Sequence, residues 1–360
     1  MFRTSLSRWT SNYLGGLISN RIFHFGITNN LALESTNYKV DLSQGLYGDS
    51  DSTVNIREAT LSDYNTVIAI PHQNNTTDHL VDRYCSFISR KTNTGYVANV
   101  DGKDVGFLLT HLIDDGSTLV LDKLRVKQDS DNKKIKKAVY EHIKQTQDPT
   151  IKTASMTPHP EMTGTYVLEE CSDKEWNLVT VKTKETFHTK ITDLHEKLKK
   201  HSIQLKSSKR LFGHDVKKVV SFPESYRHLF KDERLLKSDI LYKPVVSNVD
   251  LVIDKRTLVV GSNMSSSPSV LLSFGTYSYT TEGLHYNLSF NGNMNECVDE
   301  HLFIHMISLL NRGNRNVTFE IYVDESKDML PVEESLKIYS FQKNKIDNQN
   351  NVGWYEKSLC

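Results

Sequence analysis

The sequence is poor in the features that mark several large classes of protein. Its four cysteines are far apart and form no CxxC pair, which indicates free thiols of a reducing compartment rather than a disulfide framework or a zinc site. No apolar run reaches the length of a membrane span. The 44 basic and 44 acidic residues balance, so no global field favours nucleic acid or an anionic membrane.

Several common functional motifs are also missing. The chain contains no GxSxG, no P-loop, no glycine fingerprint of a dinucleotide-binding fold and no aromatic-basic motif for nucleic acid. His301 and His305 have the i, i+4 spacing that can bind zinc. Because no third potential zinc ligand follows at a sequence spacing typical of zinc sites, we interpret them as core or surface histidines and predict no metal site.

The N-terminus lacks acidic residues. Residues 1–33 contain no Asp or Glu but three arginines and many Ser and Thr. One helical face is formed by Leu14, Leu17, Ile18 and Ile22. This pattern is typical of a mitochondrial transit peptide and predicts a location in the mitochondrial matrix. A disordered leader on a cytoplasmic protein is the alternative.

A strand, a loop and a helix are predicted over residues 117–143. Apolar positions alternate up to Leu121 and resume at Leu124, so the period of two slips and predicts an irregular strand. The polar loop 127–132 then opens a helix. Its apolar face consists of Ile135, Ala138, Val139 and Ile143. A strand that leads into a helix N-terminus is a place where a fold can hold a pyrophosphate.

The flanking segments predict alternating strands and helices. Before this unit we expect a strand at 54–59, helices at 61–70 and 79–91, and a hairpin at 95–112 with a D-G turn. After it we expect a long charged helix over 184–206 with Phe187, Ile191, Leu194 and Leu198 on its inner face. Three strands, a helix, a strand and a helix follow, at 251–261, 269–279, 284–291, 297–310, 316–323 and 331–339.

Parts of this pattern resemble a known family. VNIREATLSDY resembles the first strand and the start of the first helix of the GNAT superfamily of N-acetyltransferases, and GYVANVDGKDVGFLLTHLIDDGSTLVLDKLRV resembles its β2-β3-β4 meander. DDGSTLVLDKLRV, YKPVVSNVDLV and PSVLLSFGTYSY are most similar to the histidine N-acetyltransferase group. The resemblance spans residues 54–341.

The resemblance implies an α/β protein with a GNAT fold, in which helices flank a mixed central sheet. The late order βββαβα implies a second GNAT-like lobe at the C-terminus. The corresponding domain prediction is a leader and linker at 1–52, an N-acetyltransferase domain at 53–184, a helical connector at 185–246 and a GNAT-like domain at 247–360.

The resemblance also implies a function and a site. The expected activity is transfer of acetyl from acetyl-CoA, as cosubstrate, to a small-molecule amine, with histidine as the acceptor. Asp122 occupies a β4 position where the family usually has glutamate, and would orient a water toward the incoming amine. Leu124, Arg125 and Val126 would supply main-chain contacts to the pantetheine arm. The early helix pair would border the acceptor site.

The expected pyrophosphate loop departs from the family pattern. Arg/Gln-x-x-Gly-x-Gly/Ala falls on residues 131–136, where Asp131, Lys134 and Lys136 replace all three signature residues. Long side chains obstruct a glycine cradle, yet Lys133, Lys134 and Lys136 can bind phosphate as point charges. A solvated lysine face is the other interpretation. The alternative function is therefore a catalytically inactive GNAT-fold protein that serves as a binding or scaffold module.

Overall fold

The computed structural model describes residues 53–71, 78–128, 130–156, 176–201, 203–222, 229–230, 233–262, 271–294, 297–313, 315–324, 327–344 and 351–359. Residues 51–360 form one compact unit. The predicted transit peptide lies outside the described residues. None of the described helices is long and apolar enough to cross a membrane.

The first five strands form what we call the N-terminal lobe. Its elements are β1 (Val54–Glu58), a 3₁₀ turn (Leu61–Asp63), α1 (Tyr64–Ile68), α2 (Leu80–Ile88), β2 (Asn93–Val100), β3 (Lys103–Ile113), β4 (Thr118–Val126), α3 (Asn132–Thr146) and β5 (Thr153–Met156). The β2-β3 turn has Asp101 and Gly102 at positive φ (50° and 78°), as a tight hairpin with right-handed strand twist requires.

A middle segment follows the N-terminal lobe. It contains β6 (Asn177–Lys190), α4 (Ile191–Lys200), β7 (Ser208–Leu211), α5 (Gly213–Ser221), the hairpin strands β8 (Leu235–Lys237) and β9 (Ile240–Tyr242), and α6 (Val246–Val252).

The C-terminal lobe comprises the next six elements. They are β10 (Thr257–Ser262), β11 (Leu271–Thr280), β12 (Gly283–Gly292), α7 (Val298–Leu309), β13 (Asn316–Asp324) and α8 (Leu330–Ile338). The chain ends with β14 (Gln342–Lys343) and β15 (Asn351–Ser358).

The two lobes repeat one topology within a single sheet. In the N-terminal lobe β2, β3 and β4 are antiparallel neighbours, and α3 crosses over to β5, which is parallel to β4. In the C-terminal lobe β10, β11 and β12 are antiparallel, and α7 crosses over to β13, which is parallel to β12. The sheet order is β1-β2-β3-β4-β5-β15-β6-β13-β12-β11-β10-β7. The expected mixed α/β fold with two GNAT-like lobes is confirmed.

One predicted helix is wrong over part of its length. The charged segment 184–206 begins as strand, since β6 continues to Lys190 and α4 spans only Ile191–Lys200. Thr183, Thr186 and Thr189 favour extended backbone, and pairing with β13 places Phe187 opposite Phe319. The predicted domain bounds stay a prediction. In the structure β6 crosses residue 184, and one sheet runs through both lobes.

The core of the C-terminal lobe depends on a glycine in β11. A Cβ at Gly275 would lie 2.1 Å from the Tyr286 hydroxyl and 2.6 Å from His305 Nδ1. The ring of Tyr286 fills this space and its hydroxyl is hydrogen-bonded to His305 at 2.6 Å. Gly275 therefore makes room for a buried polar contact between the sheet and α7.

We expect Gly275→Ala to destabilise the protein by about 1–3 kcal/mol, because the added methyl overpacks a filled core. Gly213→Ala is the matched control, since nothing lies within 4 Å of its Cβ position at the start of α5. The control should be neutral or stabilising by up to about 1 kcal/mol. Chemical denaturation measures both, and equal stabilities of the two variants would contradict the packing argument.

Candidate active site

A bulge in β4 shapes the centre of the molecule. Leu109 pairs with Asp122 and Phe107 pairs with Arg125, so two residues of β4 lie opposite Leu108. The extra residue is Lys123, whose φ is +53°. In a regular strand Asp122 and Lys123 would point to opposite faces. The bulge instead lets both side chains line one cavity, and it confirms the irregularity predicted from the sequence.

Asp122 is an anion held by two partners. Its carboxylate lies 3.1 Å from His111 Nε2 and 3.2 Å from Lys123 Nζ, and it accepts the Lys123 backbone N–H at 2.8 Å. Burial alone would raise the pKa of Asp122, but the Lys123 ammonium and the His111 contact hold that pKa well below its usual range. Asp122 is therefore ionised at neutral pH and is a poor final acceptor of a proton.

The cavity lies between the two lobes. The N-terminal lobe contributes the face of α2, His111 and the β4 bulge. The C-terminal lobe contributes two cross-strand pairs, Thr276 with Asn287 and Ser278 with His285. The β8-β9 hairpin closes a further side. Most of the lining residues therefore have a polar side chain, and they come from both halves of the chain.

Three cations in this wall share one carboxylate. Arg83 of α2 and Arg90, which follows that helix, each lie 2.9 Å from Asp254 Oδ2, and Lys237 Nζ lies 3.3 Å from the same oxygen. The side chains of Arg83 and Lys237 are only 6% and 5% exposed. Asp254 follows α6, so this ion cluster ties the N-terminal lobe to the chain that enters the C-terminal lobe.

The pKa of Lys237 is lowered by burial and by the neighbouring arginines. Burial lowers the pKa of Lys237 to about 8; Asp254 opposes that change, while Arg83 and Arg90 add to it. For Asp254, burial acts to raise the pKa, but Lys237 and Arg83 hold it below the usual range. The cluster is thus a cationic wall with one ionised carboxylate at its centre.

Two histidine rings form another part of the wall. The ring centroids of His79 and His285 are 4.4 Å apart, and Ser278 Oγ lies 2.7 Å from His79 Nδ1. Burial, followed by the charge of His285, lowers the pKa of His79 well below its usual value. His285 Nε2 lies 3.3 Å from Glu320, without a hydrogen bond of ordinary geometry.

Five buried polar atoms on four residues of the cavity wall form no hydrogen bond of ordinary geometry among the described residues. They are Arg83 Nε, Ser238 Oγ, both ring nitrogens of His285, and Asn287 Nδ2. Buried polar groups are nearly always hydrogen-bonded, to protein, water or ligand. Their concentration in one cavity indicates a site for a polar small molecule.

The backbone of β4 beyond the bulge is the predicted place for a pantetheine arm. The parallel ladder with β5 ends at the pair Leu121 and Met156, and no described strand continues it along residues 122–126. The side chains of Leu124 and Val126 pack in the cluster beneath α3. Arg125 is buried and forms an ion pair with Asp78. Its side chain therefore braces β4, while the predicted role belongs to its main chain.

The N-terminus of α3 carries the predicted lysines. Lys133 and Lys134 are exposed and Lys136 is half-buried. The Asp131 carboxylate caps the helix by accepting the Lys134 backbone N–H at 3.0 Å. The helix approaches β3 closely at Gly106, where a Cβ would lie 2.9 Å from Ile135. The helix end is thus near the sheet, but a carboxylate occupies one of its amide donors.

The late histidine pair belongs to the core. His301 and His305 are fully buried and both lie within 2.8 Å of Ser273 Oγ. Burial lowers the pKa of His301 to about 3, so its ring is neutral. The described residues contain no cluster of three or more potential metal ligands.

Sequence reasoning found Asp122 but missed the cationic wall. Arg83 and Phe87 are four residues apart on α2, which places them on one helical face, and Arg90 comes two residues after the helix ends. The polar residues at 276, 278, 285 and 287 alternate along two strands, which places them on one face of the sheet. Nothing local in the sequence joins these elements to Lys237.

One family model matches a part of the chain that contributes to the cavity. A family model described as "Histidine N-acetyltransferase, C-terminal" matches residues 204–324, about a third of the chain. The matched segment includes Lys237, Asp254 and the β11-β12 wall of the cavity. No curated protein matches the chain.

Solved structures of related fold include two with high coverage. A tandem GNAT protein of the clavulanic acid biosynthesis pathway is 12% identical over 85% of this chain and 98% of its own, with a TM-score of 0.49. A GCN5-related N-acetyltransferase from Sphaerobacter thermophilus is 8% identical over 85% of this chain and 95% of its own, with a TM-score of 0.47. These are distant likenesses.

We expect the buried ammonium of Lys237 to make stability depend on pH in a defined window. Its pKa is about 8 when folded against 10.5 as the ordinary value. Between these values the unfolded chain binds more protons, so stability rises with pH, by about 3 kcal/mol from this group. Below pH 8 the lysine is charged in both states and the rise is absent.

The measurement is chemical denaturation of wild type and Lys237→Met from pH 7 to 10.5. The stability of wild type relative to the variant should increase across the window. Lys217→Met, at an exposed lysine paired with Asp250, is the control and should give a constant difference. A constant difference for Lys237→Met would contradict the assigned shift.

Proposed function

We propose that this chain, which resembles the histidine N-acetyltransferases of the GNAT superfamily, transfers acetyl from acetyl-CoA to the amino group of a free, histidine-like amino acid. The observation that carries the proposal is the position of Asp122. It lies where the β4-β5 ladder ends and lines the same polar cavity as the matched C-terminal segment. A cofactor arm along β4 and an acceptor in the cavity would meet beside this residue.

The described residues fit the arm of acetyl-CoA better than its pyrophosphate. The main chain of Leu124, Arg125 and Val126 would bind the pantetheine amides along the edge that β5 leaves. Lys133, Lys134 and Lys136 would bind phosphate through their side chains, since residues 131–136 lack the glycines of a backbone cradle. When bound, the cofactor supplies an activated acetyl thioester.

Asp122 positions groups rather than keeping a proton. The amine must lose a proton before or during its attack. An ionised carboxylate with a low pKa accepts hydrogen bonds from a water, from His111 and from Lys123 without becoming protonated itself. In this proposal a water held by Asp122 takes the proton of the amine and passes it to solvent.

One observation favours a non-catalytic binding module as the second candidate. The Asp131 carboxylate caps α3 at the place where the family pattern expects a cation or amide. A fixed anion at a helix N-terminus competes with a phosphate for the same donors and repels it. A chain that has lost the cofactor would keep the cavity and the fold.

Titration of acetyl-CoA into the full chain, followed by an acetyl-transfer assay with free histidine, separates the two candidates. Binding in the micromolar range together with transfer supports the enzyme. Absence of binding at high micromolar acetyl-CoA would overturn it and leave the binding module.

We expect Lys134→Glu to weaken acetyl-CoA binding roughly five- to tenfold, because it reverses a charge beside the phosphates. Lys144→Glu, at the exposed far end of the same helix, is the control and should leave the affinity unchanged. Calorimetry at one fixed ionic strength measures both. Equal affinities for the two variants would remove Lys134 from the cofactor site.

We expect Asp122→Asn to lower kcat by roughly 10²-fold, because the amide no longer holds the water and cations in place. Asp104→Asn is a matched control, since Asp104 is also 14% exposed and also bonds to a cation, Arg57. Both variants should keep their acetyl-CoA affinity. Wild-type turnover by Asp122→Asn would exclude the role assigned here.

A further inference from the structure

The cationic wall of Arg83, Arg90 and Lys237 carries more positive charge than the described residues neutralise. Each of the three lies within 3.3 Å of one oxygen of Asp254, and no other carboxylate of the described chain forms an ion pair with them. Three cations and one anion leave two unbalanced positive charges at a largely buried place. Buried charge without a counter-ion is unfavourable, so this arrangement suits an anionic ligand.

Asp254 cannot balance the wall further, because its own acceptor sites are used. The Oδ1 atom accepts hydrogen bonds from the Arg256 backbone N–H and from the Thr257 hydroxyl, each at 2.9 Å. The Oδ2 atom faces the three cations. Asp254 thus fixes their positions without satisfying all of their donors.

Two residues of the cavity wall keep a donor without a hydrogen bond. Among the described residues Arg83 Nε and Asn287 Nδ2 form no hydrogen bond of ordinary geometry. Both residues line the cavity, as do Arg90 and Lys237. Guanidinium, ammonium and amide donors that converge on one space are the groups that recognise a carboxylate.

We propose that Arg83, Arg90 and Lys237 bind the α-carboxylate of the acceptor amino acid. This inference rests on the proposed function and names the subsite that selects its substrate. The carboxylate lies against the cationic wall, with Asn287 as a further donor. The amino group then lies toward Asp122 on another side of the same cavity. The acceptor is therefore a free amino acid, because a peptide or an amine without a carboxylate leaves the wall unpaired.

Two ligands that differ in the carboxylate test the proposed carboxylate subsite directly. L-histidine and histamine share the imidazole and the amine, but only histidine has a carboxylate. Calorimetric binding of each to the full chain requires no acetyl transfer, so its result is separate from the proposed activity. Wild type should bind histidine roughly tenfold to a hundredfold more tightly than histamine, as one or two charge-assisted contacts would give.

Arg90→Gln is the variant of choice, because its side chain is 30% exposed and its removal leaves the buried Arg83 paired. It should weaken histidine binding roughly tenfold and leave histamine binding unchanged. The preference for histidine over histamine is then smaller in the variant than in wild type. Lys237→Met should act in the same direction. Arg57→Gln, at an arginine paired with Asp63 and Asp104 outside the cavity, should preserve the wild-type preference.

Each outcome supports or overturns the proposed carboxylate subsite. A preference for histidine that Arg90→Gln reduces supports it, even if no acetyl is transferred, in which case only the proposed activity fails. Equal binding of histidine and histamine by wild type overturns the subsite. An equal loss of affinity for histidine and histamine in Arg90→Gln overturns the subsite as well. Transfer to an amine by a protein that does not bind histidine overturns the subsite and keeps an acetyltransferase.

Discussion

The Asp254 carboxylate is the contact on which the central cavity depends. It joins Arg83 of α2 and the following Arg90 to a lysine of the β8-β9 hairpin, and it is itself fixed by hydrogen bonds at the start of β10. Arg83 and Asp254 are 171 residues apart in the chain. Removal of such a carboxylate would leave three cations facing one another in a low-dielectric space, where their repulsion is strong. The lobes are therefore held together by the same charges that shape the cavity wall.

The β4 bulge supplies another part of the cavity wall by a different means. A strand normally divides its side chains between two faces, and one extra residue changes that division from Lys123 onward. Asp122 and Lys123 thereby reach the cavity, while Leu124 and Val126 stay in the cluster beneath α3. The positive φ of Lys123 is unfavourable for a residue with a side chain. Such strain persists where the surrounding ladder enforces it, and here it lies at the candidate site.

Local patterns predicted most of the fold but little of the cavity. The slipped period in β4, the D-G hairpin and the βββαβ order of both lobes follow from side-chain alternation and turn chemistry, which act over a few residues. The segment around Phe187 was misjudged as helix because its charge pattern suits a helix equally well, and only pairing with β13 makes it a strand. Asp122 was found through resemblance. Arg83, Lys237 and Asp254 meet through tertiary packing, which no local period encodes.

The two lobes share a strand order but differ at the helix that follows the third strand. In the C-terminal lobe, Glu300 in the first turn of α7 accepts three backbone N–H groups of residues 206–208, at 2.8–3.2 Å. That contact fastens the chain leading into β7. The corresponding end of α3 is capped by the short side chain of Asp131 and surrounded by exposed lysines. Meanwhile the C-terminal sheet turns the polar pairs of β11 and β12 toward the cavity. A duplicated fold with one helix end engaged in this way and one sheet face polar suits the proposed division of roles, in which the N-terminal lobe takes the cofactor and both lobes, together with the β8-β9 hairpin, line the acceptor cavity.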